Sequence, residues 1–239
     1  MTYADTEILS QPEIWRQVST FAPSVLGQLP QKGERVAAVG CGSSWFMSQA
    51  YAGLRESLGF GETDFFTARE FPYDRKYDRI VAISRSGTTT ETRELLQQTK
   101  IPSVSITAVP DSPIAKLSTT SIVMPFADEQ SVVQTRWATA ALGLLRISLG
   151  FDLLSIVKDA ELAIDENIAG ILDVEQITFL GNGWTIGLAQ EAALKTREAA
   201  QFWSEAYPAF DYRHGPMSIA QKGRAVWAFG PIEPKLVEE

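Results

Sequence analysis

Arg79-Ile80-Val81-Ala82-Ile83-Ser84-Arg85-Ser86-Gly87-Thr88-Thr89-Thr90-Glu91-Thr92 changes character twice within fourteen residues. Ile80 to Ile83 is a short apolar run rich in β-branched side chains, the pattern of a buried strand. From Thr92 the order Arg-Glu-Leu-Leu-Gln-Gln predicts a helix. Between them stand six hydroxyl side chains (Ser84, Ser86, Thr88, Thr89, Thr90 and Thr92), one guanidinium and one glycine. A loop that ends at a helix start presents unpaired backbone N–H groups, and the helix dipole favours an anion there. Gly87 lets the backbone take positive φ and approach such an anion closely. The hydroxyls are neutral donors, and Arg85 can add charge. Serine and threonine also cap helices without any ligand, but six hydroxyls in nine positions exceed what capping uses. The local chemistry is that of an anion site.

Composition narrows what that anion can be. A net charge of −8 argues against broad attraction to nucleic acid or to an anionic membrane, so local donors must hold the anion. The single cysteine, Cys41, excludes an internal disulfide framework and a CxxC metal site. The single histidine, His214, argues against zinc, which wants several N or S ligands. Cys41 follows an apolar run and reads as a small buried hydrophobe rather than a nucleophile. Met1 to Ser10 is polar and acidic, unlike a signal peptide. The longest apolar stretch, Ala138 to Ile156, carries Arg146 and Asp152 and reads as a buried helix and its continuation. These features predict a cytoplasmic protein with no metal and no cofactor.

Outward from the central stretch, strands and helices alternate. Asp5 to Leu29 predicts an N-terminal helix with Pro12 in its first turn. Val36-Ala37-Ala38-Val39 predicts a strand running into Gly40-Cys41-Gly42-Ser43-Ser44 and a helix over 45–58, stopped at Gly59. Asp64 to Thr67, Pro102 to Thr107 and Ser121 to Met124 are further strands, with a short helix after Pro113 and a long one over 131–149. This alternation implies parallel pairing, right-handed crossovers and a sheet covered on both faces. Leu154 to Leu172 predicts a linking helix. Ile177-Thr178-Phe179-Leu180-Gly181-Asn182-Gly183-Trp184-Thr185 then repeats the pattern of Val36 to Ser44: four mostly apolar residues, Gly-x-Gly, a polar helix start. The repetition suggests an internal duplication. Neither copy reaches the third glycine of a dinucleotide fingerprint, since Trp45 and Ile186 stand there, which discounts a Rossmann cofactor. A helix over 186–202, a strand at Ala225 to Phe229 and a helix start over 233–239 complete the pattern. Two or three strands in the second unit against five in the first would leave apolar edges open, so the reading expects a fragment or cover from another chain. Trp15, Trp45, Trp137 and Trp203 read as core or interface residues.

Together these motifs resemble the sugar isomerase (SIS) domain family, from Glu7-Ile8-Leu9-Ser10-Gln11-Pro12 to His214-Gly215-Pro216. The nearest likeness is to the isomerase half of glucosamine-6-phosphate synthase and to related amino-sugar-phosphate deaminases and isomerases. Cys41-Gly42-Ser43-Ser44 is similar to the family's first substrate loop, Ser84-Arg85-Ser86-Gly87-Thr88-Thr89 to its phosphate loop, and Glu129-Gln130-Ser131-Val132-Val133-Gln134-Thr135 to its third substrate loop. Glu191-Ala192-Ala193-Leu194-Lys195-Thr196-Arg197-Glu198 with His214-Gly215-Pro216 is similar to its catalytic helix and ring-opening loop. The resemblance implies an α/β fold of two SIS-type, flavodoxin-like, doubly wound parallel-sheet units, the second incomplete at its C-terminus. The implied domains are an N-terminal helical segment at 1–33, a first SIS domain at 34–152, and a linker helix with a partial second SIS domain at 153–239.

For the site, the resemblance implies that Ser44, Ser84, Arg85, Ser86 and Thr89 hold a phosphate, and that Ser43, Val132 and Gln134 line the sugar. Glu198 would move a proton between C1 and C2 through an enediol-type intermediate, Lys195 would assist at the sugar hydroxyls, and His214 would open the ring. In the family that histidine can come from a neighbouring subunit, which implies a homodimer binding a sugar phosphate. The chemistry is self-consistent without the family. One base must reach both carbons, a carboxylate serves if apolar neighbours raise its pKa, and Lys195 and Glu198, three apart, share a helix face. On spacing alone, Glu191, Lys195 and Glu198 could equally form a solvated surface set. Two departures stand out. Thr2 follows Met1 where a synthase has its nucleophilic cysteine, so amide transfer from glutamine is not expected of this chain. The chain also ends before the segment that supplies a substrate-loop lysine in the synthases. The resemblance leaves open isomerisation, deamination and fructosamine-phosphate deglycation, and against all three a non-catalytic sugar-phosphate sensor.

Overall fold

The computed structural model describes residues 2–171 and 173–231. Its contacts divide the chain into two units, Met1–Asp165 and Glu166–Glu239. The first unit opens with α1 (Tyr3–Leu9) and α2 (Gln11–Phe21), two helices where one was expected. Thr2 and Asp5 close the start of α1 with a capping box, and Ser10 separates it from α2, which carries Pro12 in its first turn. There follow β1 (Val36–Gly40), α3 (Ser43–Ser57), β2 (Thr63–Thr67), β3 (Arg79–Ile83), α4 (Thr90–Gln98), β4 (Ser103–Thr107), α5 (Pro113–Leu117), β5 (Thr120–Val123), α6 (Arg136–Ser148) and α7 (Val157–Ile164).

The strands form one sheet of five in the order β2-β1-β3-β4-β5, every neighbour parallel. β1 and β4 are buried along their whole length, as a sheet covered on both faces requires. The apolar run of Ile80 to Ile83 lies at the centre of this sheet, and its buried side chains Ile80 and Ala82 join Ala37, Val39, Leu95 and Ile114 in one core. α2 packs on α6 and α7.

The second unit comprises β6 (Gln176–Gly181), α8 (Thr185–Ala200), β7 (Ser204–Pro208) and β8 (Arg224–Phe229). Its described strands pair in the order β7-β6-β8, again all parallel. Ile177 and Phe179 of β6 pack against Ala189 and Ala193 of α8.

Three expectations need correction. The helix predicted over 131–149 starts only at Arg136, because the side chains of Ser131 and Glu129 accept from the backbone N–H groups of Val133 and Thr135 and hold them in a non-helical path. The helix predicted from Leu154 to Leu172 is a single 3₁₀ turn at Leu154–Ile156 followed by α7, which ends at Ile164; Leu172 lies outside the described residues. β7 was not expected, since Ser204-Glu205-Ala206-Tyr207-Pro208 contains no β-branched residue. The tryptophans also divide: Trp137 is buried, whereas Trp203 is 70% exposed. The helix start predicted over 233–239 lies outside the described residues. Among the described residues, no helix is long and apolar enough to cross a membrane.

Candidate functional site

An open parallel sheet binds ligands beyond the carboxyl ends of its strands, where the strand order reverses. In the first unit that reversal lies between β1 and β3, because β1 connects to β2 on one side and β3 to β4 on the other. The turns that leave these two strands carry Ser43-Ser44 and Ser84 to Thr89. Both lead into helices whose N-termini lack a side-chain cap: Gly42 precedes α3, and Thr89 precedes α4. Thr2 caps α1 and Ser112 caps α5, while α2, α6, α7 and α8 also start without a side-chain cap, so it is the place of α3 and α4 at the switch point that sets them apart. The two helix starts at the switch point spend no side-chain cap on their first-turn donors, although the Trp45 N–H of α3 already bonds the Gly42 carbonyl at 2.9 Å.

Each turn is fixed by close approach of backbone. A Cβ on Gly40 would stand 2.6 Å from the Ser44 carbonyl carbon, so only glycine lets α3 begin this near the end of β1. Ser43 and Ser44 are buried in the first turn of α3. Gly87 takes φ +63°, and a Cβ there would collide with the Ser112 side chain. Its carbonyl accepts from the Ile114 N–H at 2.9 Å, which ties the turn to α5. Ser84 is buried and its Oγ lies 2.9 Å from Thr89 Oγ1, so the Thr89 hydroxyl is engaged across the turn rather than on its own helix. Ser86 is paired with Thr88 at 2.8 Å on the exposed side.

Arg85 departs from the expectation. Its backbone carbonyl accepts from Thr107 Oγ1 at 3.0 Å and from the Ala108 N–H at 2.9 Å. Its guanidinium donates to the Glu129 carbonyl and lies 3.8 Å from Asp128 Oδ1. It therefore joins the hydroxyl-rich turn to the segment 128–136, a link across 44 residues that no local pattern encodes. In that segment Glu129 is buried, and Oε1 accepts from the Thr135 N–H at 2.6 Å, the Thr135 hydroxyl at 2.7 Å and the Arg136 N–H at 2.9 Å. Burial pushes the Glu129 carboxyl up from its ordinary value, against the pull of the Thr135 hydrogen bonds. Val132 is 92% exposed, and Gln134 is partly buried. Burial likewise pushes the Cys41 thiol up, which fits a packing role.

Lys195, Glu198 and His214 belong to the second unit. Lys195 Nζ lies 2.5 Å from Glu198 Oε2 and 3.6 Å from Glu191 Oε1, so one face of α8 carries a cation between two carboxylates. The Glu198 side chain is 38% exposed. His214 is exposed at the end of a 3₁₀ turn, Asp211–His214, before Gly215 at φ +135°.

The SIS domain model matches residues 29–148. Among curated proteins, the isomerizing glutamine–fructose-6-phosphate aminotransferase of Sulfurisphaera tokodaii is 29% identical over 211 residues, which cover 81% of this chain and 36% of that protein. The chain spans under half the length of the curated relatives it matches. Among solved structures, glucosamine-6-phosphate deaminase from Thermotoga maritima aligns at a TM-score of 0.80 and 25% identity over 95% of this chain and 76% of its own. Tagatose-6-phosphate ketose/aldose isomerase from Escherichia coli aligns at 0.82 and 19% identity over 99% of this chain and 75% of its own, a likeness of fold.

Proposed function

Because the chain belongs to the SIS domain family, we propose that it is a phosphosugar isomerase or amino-sugar-phosphate deaminase working without a cofactor. The observation that carries this reading is the pair of helix starts without side-chain caps beside the switch point of the first unit, each set among serine and threonine hydroxyls. A phosphate monoester matches such a cradle: its oxygens accept from the N–H groups and hydroxyls, and its charge meets two helix dipoles. Ser44, Ser84, Ser86 and Thr89 hold the phosphate, Arg85 orients the cradle against the segment after β5, and Ser43, Val132 and Gln134 meet the sugar.

Glu198 is the base. Its carboxylate takes the proton from the carbon beside the carbonyl and returns it to the neighbouring carbon. The ammonium of Lys195, 2.5 Å from that carboxylate, offsets charge that develops on the enediolate oxygen. His214 passes a proton at the ring oxygen to open the cyclic sugar. The protein acts in the cytoplasm as a homodimer.

Incubation with a panel of hexose 6-phosphates, glucosamine 6-phosphate and fructosamine phosphates, following ketose and ammonia, tests the reading. Turnover should appear with at least one of them and fall by about 10³-fold in Glu198→Gln. Full activity of that variant ends the assignment of the base. A second reading, a sensor that holds the sugar phosphate unchanged, draws support from the exposure of Glu198. Tight binding without turnover, weakened about fivefold by Ser86→Ala, would favour it.

A further inference from the structure

The segment after β5 owes its path to a second buried carboxylate, far away in the sequence. Glu7, on α1, is 3% exposed. Its Oε1 accepts from the Gln130 N–H at 2.6 Å, and the Ser131 N–H is shared between Oε1 and Oε2 at 3.3 Å each. Glu129 takes the N–H groups of Thr135 and Arg136 at the other end of the same segment. Ser131 Oγ accepts from the Val133 N–H at 3.2 Å between them. Val132 and Gln134 thus ride on a loop whose shape is set by acceptors outside any helix or sheet ladder. The α1 end is secured as well. Ser10 Oγ donates to the Glu7 carbonyl at 2.8 Å and accepts from Arg136 Nη1 at 3.1 Å, while Arg136 Nε reaches the Asp128 carbonyl at 2.9 Å. A seven-residue helix is too short to persist alone. The capping box at Thr2 and Asp5 gives α1 a fixed start from which Glu7 can be aimed.

We propose that Glu7 is a positioning residue: from the N-terminal helix it shapes the loop Gln130–Gln134 for the sugar part of the ligand. This rests on the phosphosugar reading above. It assigns the N-terminal helix a part in substrate binding, acting through the loop and not by touching the ligand. A carboxylate is required because two backbone donors converge on it; an amide in its place turns one donor against another. Binding of the phosphate alone should depend far less on Glu7, since the backbone of the Ser84–Thr89 turn is anchored on α5 and β4 and its described link to the loop is the Arg85 guanidinium on the Glu129 carbonyl.

The test uses the whole chain and three variants, Glu7→Ala, Glu7→Gln and, as control, Glu13→Gln on the exposed face of α2. Hydrogen exchange is read first, because it needs no ligand. The Gln130 and Ser131 amides should exchange about tenfold faster in Glu7→Ala and Glu7→Gln, with β1 and β3 amides unchanged and the control like the parent. Unchanged exchange at those two amides overturns the clasp. Calorimetry is read second, with fructose 6-phosphate, glucosamine 6-phosphate and inorganic phosphate. The Glu7 variants should lose about tenfold in affinity for whichever sugar phosphate the parent binds, and less than about twofold for inorganic phosphate. Equal loss for both ligands, or none for either, overturns the positioning role. If the parent binds neither sugar phosphate while the exchange result holds, it is the phosphosugar reading that fails, and the role toward a sugar falls with it while the clasp stands.

Discussion

The two Gly-x-Gly turns, Gly40-Cys41-Gly42 and Gly181-Asn182-Gly183, solve the same backbone problem and then diverge. In each, the first glycine sits where a helix begins against the end of a strand: a Cβ would meet the Ser44 backbone at 2.6 Å in one, and the Ile186 Cα at 2.5 Å in the other. In each, the second glycine turns with nearly the same φ, +57° and +56°. The hydroxyls that follow are used differently. In the first unit Ser43 and Ser44 are buried in the opening turn of α3, beside β3, which runs out into Ser84. In the second, Thr185 Oγ1 donates to the Phe229 carbonyl at 2.8 Å and accepts from the Asn182 N–H at 2.8 Å, which stitches the β6 turn to the end of β8. The helices differ too. α3 buries ten of its fifteen residues, whereas α8 buries three of sixteen and carries Lys195 and Glu198 on a more open face. In the proposed reading one scaffold leaves its switch point to a ligand, and the other ties its turn to β8 and offers charged side chains on α8 instead. The proposed division of labour, anion holding in the first and proton transfer in the second, follows that difference.

The equivalence of the turns is the easiest part to break. Gly40→Ala and Gly181→Ala both drive a methyl into backbone, which cannot step aside as a side chain tip can. Each should cost about 3 kcal/mol. Hydrogen exchange should place the loss in residues 36–57 for the first and in 176–200 for the second; protection lost evenly over both units would deny them separate stability. Gly87→Ala comes next. It combines φ +63° with a collision against the Ser112 side chain, and should cost about 2 kcal/mol in urea unfolding together with the affinity for inorganic phosphate.

Smaller changes sharpen the contrast. Thr185→Val keeps the shape of the side chain and removes the stitch, so the second unit should lose about 1 kcal/mol with phosphate binding unchanged. Ser86→Ala, at an exposed hydroxyl, should do the reverse: stability within about 0.5 kcal/mol of the parent and phosphate affinity reduced about fivefold. If Thr185→Val weakened phosphate binding and Ser86→Ala did not, the roles assigned to the two turns would be exchanged.

What could be read from the sequence was local. The alternation of strand and helix, the parallel sheet and the two glycine turns all come from patterns within ten or so residues, where periodicity and turn chemistry carry the signal. The start of α6 is hidden in the sequence because Val132 and Val133 stand just ahead of the apolar helical stretch that begins at Trp137, while the acceptors that hold them out of the helix arrive from Glu129 and, across more than a hundred residues, from Glu7. β7 is hidden in the sequence because Tyr207 alone among its residues favours a strand, and it is the pairing with β6 that recruits the rest. For the site, the hydroxyl-rich turn announced itself through composition. The direction of the Arg85 guanidinium did not, since its acceptors lie on the segment after β5. Lys195 and Glu198 were legible as one face of a helix, but their exposure depends on what else packs on α8.

The last and smallest effect concerns pH, and it should separate the units again. Burial raises the Glu129 carboxyl above its ordinary 4.5, with the nearby Glu7 charge adding to the effect. A raised carboxyl means that the folded protein holds this proton more tightly than the unfolded chain. Its contribution to stability is therefore fully present below about pH 4.5 and is lost as pH rises through the raised value. Exposed carboxylates such as Asp5, lowered by its hydrogen bonds from Thr2, work in the opposite sense and would mask the trend in the parent alone. The quantity to follow is the stability of the parent minus that of Glu129→Gln, measured by urea unfolding from pH 4 upward. That difference should fall as pH rises from about 4.5 and then level off, with the change confined to hydrogen exchange in the first unit. A difference that rises with pH instead would mean that the donors from Thr135 and Arg136 outweigh burial, and that the loop is held by a carboxylate more acidic than its surroundings suggest.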